Sequence, residues 1–297
     1  MASSNSNALA SFGAIVRENQ PLASFTWLQI GGPTRYLVEP NDQQQLADVV
    51  KVCHAESIPV RLLGGGSNVL IRESGFDGAT FLLTSPAFAR MSFLGDRVIC
   101  GGGAKLSHLI AYAVGNGLTG LEHLVGIPGT VGGALRGNSG TDEGDIGQVV
   151  DSVALLTKEG NKVEATGKKL AFSHRVSSLD ELAILEVTFR LEPADIRHVT
   201  KREQTFWILK RSKQPSFPER AAVAFVDPDG NKAAELLQQS GFNGASEGAV
   251  RLSSTHPNYL IAAAGATSSQ ALMLLERVRE GVKDRTGVQL QLHLQIW

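Results

Sequence analysis

Two glycine-rich stretches decide the fold of this chain. Residues 63–71 read Leu-Gly-Gly-Gly-Ser-Asn-Val-Leu-Ile, and residues 126–134 read Gly-Ile-Pro-Gly-Thr-Val-Gly-Gly-Ala. Backbone without side chains lets a ligand approach the peptide N–H groups, which can then hydrogen-bond a polyanion. The apolar run after Asn68 predicts that the first loop joins two strands. A Rossmann-type dinucleotide fold needs a helix at that point, and we therefore disfavour it.

The two loops taken together indicate a ligand as long as a dinucleotide. The alternative for either loop is an ordinary set of tight turns, in which glycine serves only the backbone conformation. A single loop leaves this alternative open, whereas the pair favours an anion-binding site.

Composition narrows the class of protein. The chain has 297 residues, of which 42% are hydrophobic and 19% charged, so it can bury the core of an enzyme-sized body. A formal net charge of −1 predicts neither nucleic acid nor an anionic membrane as partner. Cys53 and Cys100 lack metal or redox spacing and are predicted to be core residues in a reducing compartment.

The chain shows no targeting or membrane segment. Met1–Ser11 is polar and serine-rich, and we predict a flexible N-terminus over residues 1–19. No apolar run approaches the roughly 20 residues of a membrane span. We therefore expect a cytoplasmic protein.

Hydrophobic periodicity places the main elements. Asn41 is predicted to cap a helix, and the helix is followed by a strand over 60–63. Further strands are expected at 149–156, 162–165 and 184–191. A helix over 196–213 should lead to the proline-rich linker 214–218.

The end of the chain carries two clear patterns. Thr267 and Gln270 predict a capping box at the start of a helix. Residues 288–297 then alternate between apolar and polar side chains, which predicts one strand with its leucines facing the core. The polar face of that strand is expected to be solvated or to line a cleft.

Several of these stretches resemble a known family. Residues 26–33, both glycine loops and Asn138 resemble the flavin-binding signature of the UDP-N-acetylenolpyruvoylglucosamine reductase (MurB) family. Residues 172–177, 211–215 and 253–259 are similar to the family's Tyr-Arg-x-Ser, Arg-x-x-Gln-Pro and Ser-x-x-His-Ala-Asn-Phe segments, in the same order. The resemblance extends from about residue 20 to the end and favours the shorter family subtype.

The resemblance implies an α+β fold of the vanillyl-alcohol-oxidase/PCMH type. Residues 20–78 and 79–213 would be two FAD-binding subdomains, and residues 214–297 a substrate-binding domain. It also implies non-covalent FAD, NADPH as co-substrate, a nucleotide-sugar substrate and a monomeric enzyme of peptidoglycan precursor synthesis, with no metal. The family's reaction adds hydride and a proton to an enolpyruvyl double bond, which requires a cation beside the substrate carboxylate and a placed acid.

The family's motifs also imply site residues. The candidate cofactor-binding residues are Gly64, Gly65, Gly66, Ser67, Asn68, Ile127, Pro128, Gly129, Thr130, Gly132, Gly133 and Asn138. The candidate substrate-binding residues are Arg211, Asp227, His256, Asn258 and Gln291, and the candidate catalytic residues are Arg175 and His293. Turn capping is the alternative for Ser67 and Asn138, a surface ion pair for Arg175, and a purely structural role for His256 and Asn258.

The chain departs from the family where the substrate chemistry is done. Val223 stands at the position of the proton-donating serine or cysteine, and valine cannot donate a proton. The other departures are Val226 for lysine, Asp227 for asparagine, Gln291 and His293 for two glutamates, His174 for tyrosine and Asn243 for lysine. His293 and Ser216 are the candidate replacement donors, and a solvent-facing position is the alternative for His293. A binding paralogue without useful turnover therefore stands as a second hypothesis.

Overall fold

The computed structural model describes residues 8–215 and 220–297. Residues 1–7 lie outside this range. So do residues 216–218 of the predicted linker 214–218, which include the candidate donor Ser216. The described chain divides into two compact units. The first comprises residues 8–20, 34–65 and 77–208, and the second comprises residues 21–33, 66–76 and the rest of the described chain from 209 onward. The first glycine loop is thus shared, with Gly64 and Gly65 in the first unit and Gly66–Asn68 in the second.

The α-helices of the described chain are α1 (Gln43–Ala55), α2 (Leu106–Gly115), α3 (Val131–Arg136), α4 (Ile196–Ser212), α5 (Ala233–Gln239) and α6 (Ser268–Thr286). The strands up to the second loop are β1 (Val16–Pro21), β2 (Pro33–Val38), β3 (Val60–Leu62), β4 (Val69–Leu70), β5 (Phe76–Phe81), β6 (Met91–Leu94), β7 (Arg97–Gly101) and β8 (Leu118–Thr119). The later strands are β9 (Gly140–Thr141), β10 (Gly144–Asp145), β11 (Val150–Leu156), β12 (Lys162–Thr166), β13 (Phe172–Ser173), β14 (Val176–Ser177), β15 (Ala183–Arg190), β16 (Glu192–Pro193), β17 (Ala221–Val223), β18 (Phe225–Val226), β19 (Ser246–Glu247), β20 (Val250–Leu252), β21 (Tyr259–Ala262), β22 (Gln291–Leu292) and β23 (Gln295–Ile296).

The first unit is built on two sheets. One has the strand order β1-β2-β5-β3, and the apolar face of α1 packs into its core through Leu46, Val49, Val50 and Cys53, as the helical spacing predicted. The other has the order β12-β11-β15-β7-β6 and forms a second core with α2 and α3. Asp42 rather than Asn41 caps α1, because its carboxylate accepts the Gln45 N–H at 2.8 Å.

The second unit packs α5 and α6 with a sheet of order β17-β21-β20-β19. The predicted capping box is confirmed, since Thr267 and Gln270 exchange side-chain and backbone hydrogen bonds at the start of α6. Leu28 and Ile30 from residues 21–33, and Leu70 just after the first glycine loop, contribute to this core.

The prediction of one continuous strand over 288–297 is wrong. Only β22 and β23 form there, and they have different partners. β22 pairs antiparallel with β18, whereas β23 pairs parallel with β4. Leu290 and Leu294 are buried as expected, so the alternation identified the inner face correctly.

Residues 8–19 also differ from the prediction of a flexible terminus. They form a short 3-10 helix (Ala10–Ile15) and most of β1, and Leu9 is fully buried in the core beside α1. Burial of one leucine and pairing of β1 with β2 tie this segment to the first unit.

Within residues 8–215 and 220–297, no helix is both long enough and apolar enough to cross a membrane.

Candidate active site

The first glycine loop connects β3 to β4, which confirms the predicted strand–loop–strand order. Gly66 has a φ of 65°, and a methyl group on it would lie 2.0 Å from the Phe25 carbonyl oxygen. The Gly66 carbonyl in turn accepts the Trp27 N–H at 3.0 Å. Glycine is therefore required at 66 both by backbone conformation and by the close approach of residues 25–27 in the second unit.

Gly64 and Gly65 lie against the second glycine loop within the first unit. A methyl group on Gly65 would lie 2.6 Å from Gly129 Cα, and one on Gly64 would lie 2.9 Å from Thr130 Oγ1. The two loops that sequence patterns singled out are thus in backbone contact. The side-chain-free surface that they share is the kind of cradle in which peptide groups face a ligand.

The second loop leads directly into α3, and Thr130 caps that helix by accepting the Gly133 N–H at 3.2 Å. The Val131 and Gly132 N–H groups donate to Ala104 and Gly102 carbonyls, each at 2.8 Å. These three N–H groups are therefore engaged by the protein, and this half of the loop serves mainly to seat α3. That Gly132 and Gly133 also contact a cofactor stays a prediction.

The first loop fits a dinucleotide cofactor better. The Gly65 and Gly66 N–H groups donate to no acceptor among the described residues. The Asn68 Oδ1 atom is buried and likewise lacks a hydrogen-bond partner there. Buried polar groups are normally satisfied, so the buried Gly66 N–H and Asn68 Oδ1, both in the second unit, suit a ligand that offers an acceptor and a donor. FAD, with its pyrophosphate, hydroxyls and ring N–H, has that chemistry.

Asn68 also joins the loop to the predicted catalytic strand inside the second unit. Its Nδ2 donates to the His293 carbonyl at 2.8 Å, and the His293 N–H donates to the Ala224 carbonyl at 2.9 Å. Three predicted functional stretches therefore meet at the backbone of His293. The candidate donor His293 is thus bonded to the segment in which the resemblance predicts the family's acid at position 223.

Several predicted substrate-binding side chains are occupied by the protein itself. Asn258 accepts the Phe225 N–H and donates to the Phe225 carbonyl, both at 2.9 Å. Asp227 accepts the Ala233 N–H at 2.9 Å and pairs with Lys232 at 3.3 Å, which holds the start of α5. The His256 ring packs edge-on against Tyr259 with centroids 6.3 Å apart. The structural alternative for His256 and Asn258 is therefore supported by these contacts.

The remaining candidates lie on exposed or half-buried positions. Gln291 is exposed on β22 opposite Val226, and Arg211 is exposed near the end of α4. Arg175 is half-buried in the first unit, at the two-residue turn between β13 and β14, with a φ of 60°. A left-handed backbone at a non-glycine residue costs free energy and is typical of functional sites.

Sequence reasoning missed Glu122, whose side chain is 1% exposed. Its carboxylate accepts Thr119 Oγ1 at 2.6 Å and the Gly120 N–H at 2.8 Å, and pairs with Arg202 on α4 at 3.1 Å. Burial opposes its ionisation, but the hydrogen bonds and the Arg202 charge outweigh burial and lower the pKa of Glu122. The only signal in the sequence was one acid in an apolar run before Gly126.

The two cysteines are core residues, as predicted. Both are fully buried, and burial raises the pKa of Cys53 to about 11. Burial, with the nearby Glu186 charge, raises the pKa of Cys100 to about 12. Neither thiol is suited to be a nucleophile near neutral pH.

Comparison with known proteins assigns the family. Residues 34–166 match the FAD binding domain family, and residues 214–297 match the C-terminal domain of UDP-N-acetylenolpyruvoylglucosamine reductase. The chain is 46% identical to the enzyme of that name from Rhodopirellula baltica over 283 residues, which cover 95% of this chain and 93% of the relative. The chain belongs to the UDP-N-acetylenolpyruvoylglucosamine reductase (MurB) family.

More distant members of the reductase family agree. A second relative, UDP-N-acetylenolpyruvoylglucosamine reductase 2 from Symbiobacterium thermophilum, is 34% identical over 95% of this chain and 92% of its own. The crystal structure of the Thermus caldophilus reductase superposes with a TM-score of 0.82 at 28% identity, covering 95% of this chain and 99% of that one. The predicted α+β class, an FAD-binding fold followed by the reductase C-terminal domain, is confirmed.

Replacing Gly65 tests the contact between the loops. The Gly65→Ala variant places a methyl group 2.6 Å from Gly129 Cα and must force the two loops apart. We expect FAD affinity to fall about tenfold or more, which corresponds to about 1.4 kcal/mol. Titration of the apoprotein with FAD measures this affinity. Gly115→Ala, with no atom within 4 Å of the new methyl group, is the control. Equal FAD affinity in both variants would contradict the role of the contact.

Replacing Glu122 tests the buried carboxylate. Since its pKa is lower in the folded chain, ionised Glu122 stabilises the fold above the ordinary carboxyl pKa of 4.5, and this contribution is lost as pH falls through the folded-state pKa. Glu122→Gln should lower the free energy of unfolding by about 1–3 kcal/mol at neutral pH. The difference from the parent should shrink on acidification, measured by urea unfolding. The exposed Glu164→Gln is the control, and a difference independent of pH would refute the assignment.

Proposed function

We propose that this protein is an FAD-dependent, NADPH-using reductase that converts UDP-N-acetylglucosamine enolpyruvate to UDP-N-acetylmuramate. The observation that carries the proposal is the match to an FAD binding domain followed by the reductase C-terminal domain, with 46% identity across 95% of the chain to a protein named UDP-N-acetylenolpyruvoylglucosamine reductase. The first glycine loop supports it, because the Gly66 N–H and the buried Asn68 Oδ1, which have no hydrogen-bond partner among the described residues, suit a dinucleotide cofactor. In this role the protein takes part in peptidoglycan precursor synthesis.

The reaction adds two hydrogens across a carbon–carbon double bond. Hydride from NADPH adds to one enolpyruvyl carbon, a proton adds to the carbon beside the carboxylate, and NADP⁺ is left as the oxidised product. When bound, FAD supplies the two-electron relay between the nicotinamide and the double bond. The protein's task is to bind the UDP-sugar, stabilise the charge that develops, and deliver the proton.

Arg175 is the residue proposed for charge stabilisation. Its guanidinium is a permanent cation, and its backbone is held in a left-handed conformation at a hairpin turn. A cation fixed before the reaction stabilises the negative charge that develops next to the substrate carboxylate without reorganising. The half-buried position of Arg175 strengthens that interaction relative to water.

His293 is the residue proposed to supply the proton. Its backbone is fixed by Asn68 on one side and Ala224 on the other. Imidazolium donates a proton near neutral pH, which valine at 223 cannot do. The proposed substrate contacts are Arg211 and Gln291, whose side chains reach the surface of the second unit. A monomeric, cytoplasmic enzyme is part of the same proposal.

A second candidate function is a binding paralogue. The residues Val223, Val226, Gln291 and His293 together replace an acid, a cation and two carboxylates of the family pattern. Loss of a general acid alone typically costs roughly 10²–10⁴-fold in rate. Such a protein would bind FAD and the UDP-sugar but turn over slowly.

Turnover distinguishes the two functions. Purified FAD-loaded protein is mixed with NADPH and the enolpyruvyl UDP-sugar, and the fall in NADPH absorbance is followed. We expect substrate-dependent oxidation that falls roughly 10²-fold or more in Arg175→Ala. The exposed Arg90→Ala is the control. If FAD and the UDP-sugar bind but no NADPH is consumed, the reductase proposal fails and the binding paralogue is supported.

Residue 223 gives a gain-of-function test. Val223 lies on β17, whose pairing with Tyr259 fixes its direction. Val223→Ser restores a hydroxyl donor and should raise kcat at least about tenfold if protonation limits the rate. Val223→Ala removes the same bulk without adding a donor and is the matched control. Equal rates in the two variants would show that the proton arrives from elsewhere, and a further loss in His293→Asn would then assign it to His293.

A further inference from the structure

The hairpin that carries Arg175 is short. β13 and β14 pair through Phe172 with Ser177 and Ser173 with Val176, and beyond them the Ser178 N–H donates to the Ala171 carbonyl at 2.9 Å. Isolated two-stranded hairpins are marginal in water even when they are longer. The turn also contains Arg175 in a left-handed conformation, which adds strain. Contacts with groups outside the hairpin therefore help to fix it.

Two hydrogen bonds anchor the hairpin, one on each strand. On β13, the Ser173 carbonyl accepts Asn138 Nδ2 at 2.8 Å. On β14, Ser177 Oγ donates to the Arg136 carbonyl at 3.0 Å. Arg136 is the last residue of α3, and Asn138 follows it two residues later. One short helix therefore holds both strands.

Asn138 is built into this position. It is 2% exposed, has a φ of 37°, and its Oδ1 accepts the Gly147 N–H at 3.1 Å. Gly147 lies so close that a methyl group on it would be 2.4 Å from the Phe172 ring and 2.8 Å from Asn138 Oδ1. The amide thus bridges two segments that lie nine and 35 residues away in sequence. That pattern differs from turn capping, in which an asparagine bonds its immediate neighbours.

The other end of α3 lies in the second glycine loop. Thr130 caps the helix, and the loop's N–H groups hold it against Gly102 and Ala104. At 1.5 Å per residue, six helical residues span about 9 Å of stiff structure. Inside the first unit, hydrogen bonds therefore connect the second glycine loop through α3 and Asn138 to the hairpin.

We propose that Asn138 is a positioning residue that holds the Arg175 hairpin in register with the second glycine loop. The proposal rests on the proposed function for the role of Arg175, but the holding of the hairpin is independent of it. Asn138 acts by donating to Ser173, two residues before Arg175. A displacement of about 1 Å at a catalytic group can cost about 10²-fold in rate, so such an anchor has a measurable consequence.

Asn138→Asp tests the donor selectively. Aspartate keeps an oxygen for the Gly147 N–H and replaces the amino group that donates to Ser173 with a second oxygen. We expect faster hydrogen–deuterium exchange in the peptide covering 172–177, with exchange in 220–297 unchanged. Asn116→Asp is the matched control, since the exposed Asn116 amide also donates to a backbone carbonyl, that of Tyr112 at 2.7 Å. Unchanged exchange over 172–177 would overturn the proposal without reference to activity.

A double-mutant cycle tests the link to Arg175. Asn138→Asp should lower kcat, measured at saturating FAD, by about 10- to 100-fold in the parent and by less than about threefold in the Arg175→Ala background. Equal losses in both backgrounds would show general damage and overturn the proposal. If Arg175→Ala leaves turnover intact, the proposed role of Arg175 fails, and the exchange measurement then decides the anchoring role of Asn138.

Discussion

The close approach of bare backbone at Gly65 and Gly129 is the constraint on which the first unit depends. With 2.6 Å between a would-be Cβ and Gly129 Cα, any side chain at 65 would separate the loops. Next to this contact, the Gly65 N–H has no acceptor within residues 8–215 and 220–297. The absence of side chains thus explains the packing of the loops, and it is also what the proposed cofactor site requires.

The first loop is under a different constraint past Gly65. Gly66 is held by residues 25–27, and Asn68 is held by the backbone of His293. β4, which follows, pairs with β23 near the end of the chain. The second half of the loop is therefore part of the unit that carries the reductase C-terminal domain.

Much of the fold could be predicted from local periodicity, because helix faces and caps are encoded within one or two turns. The buried face of α1 and the capping box of α6 are examples. The strand over 288–297 could not be predicted in the same way. Alternation specifies which side chains face inward, but not the partner. Here β18 and β4 pair with successive pieces in opposite senses, and the strand breaks between them.

The site residues stay predictions, because motifs specify which side chains are present but not which tertiary contacts they make. Asn258 matched a motif, but its amide is used on the backbone of Phe225, 33 residues away. Glu122 matched nothing, and its partner Arg202 lies on a distant helix. The spacing of residues in the sequence does not predict pairs of this kind, because their members are far apart along the chain.

The fixed backbone around Val223 bears on how the family's chemistry was altered. Asn258 bonds both polar groups of Phe225, and its carbonyl accepts the Ala224 N–H at 2.9 Å. The Ala224 carbonyl accepts the His293 N–H, so residue 223 and His293 lie on adjacent, mutually paired backbones. The backbone that carries residue 223 is thus bonded, through Ala224, to the backbone of His293. On the proposal that His293 supplies the proton, a change of donor leaves the close approach of Gly65 and Gly129 unaltered, because neither residue takes part in it.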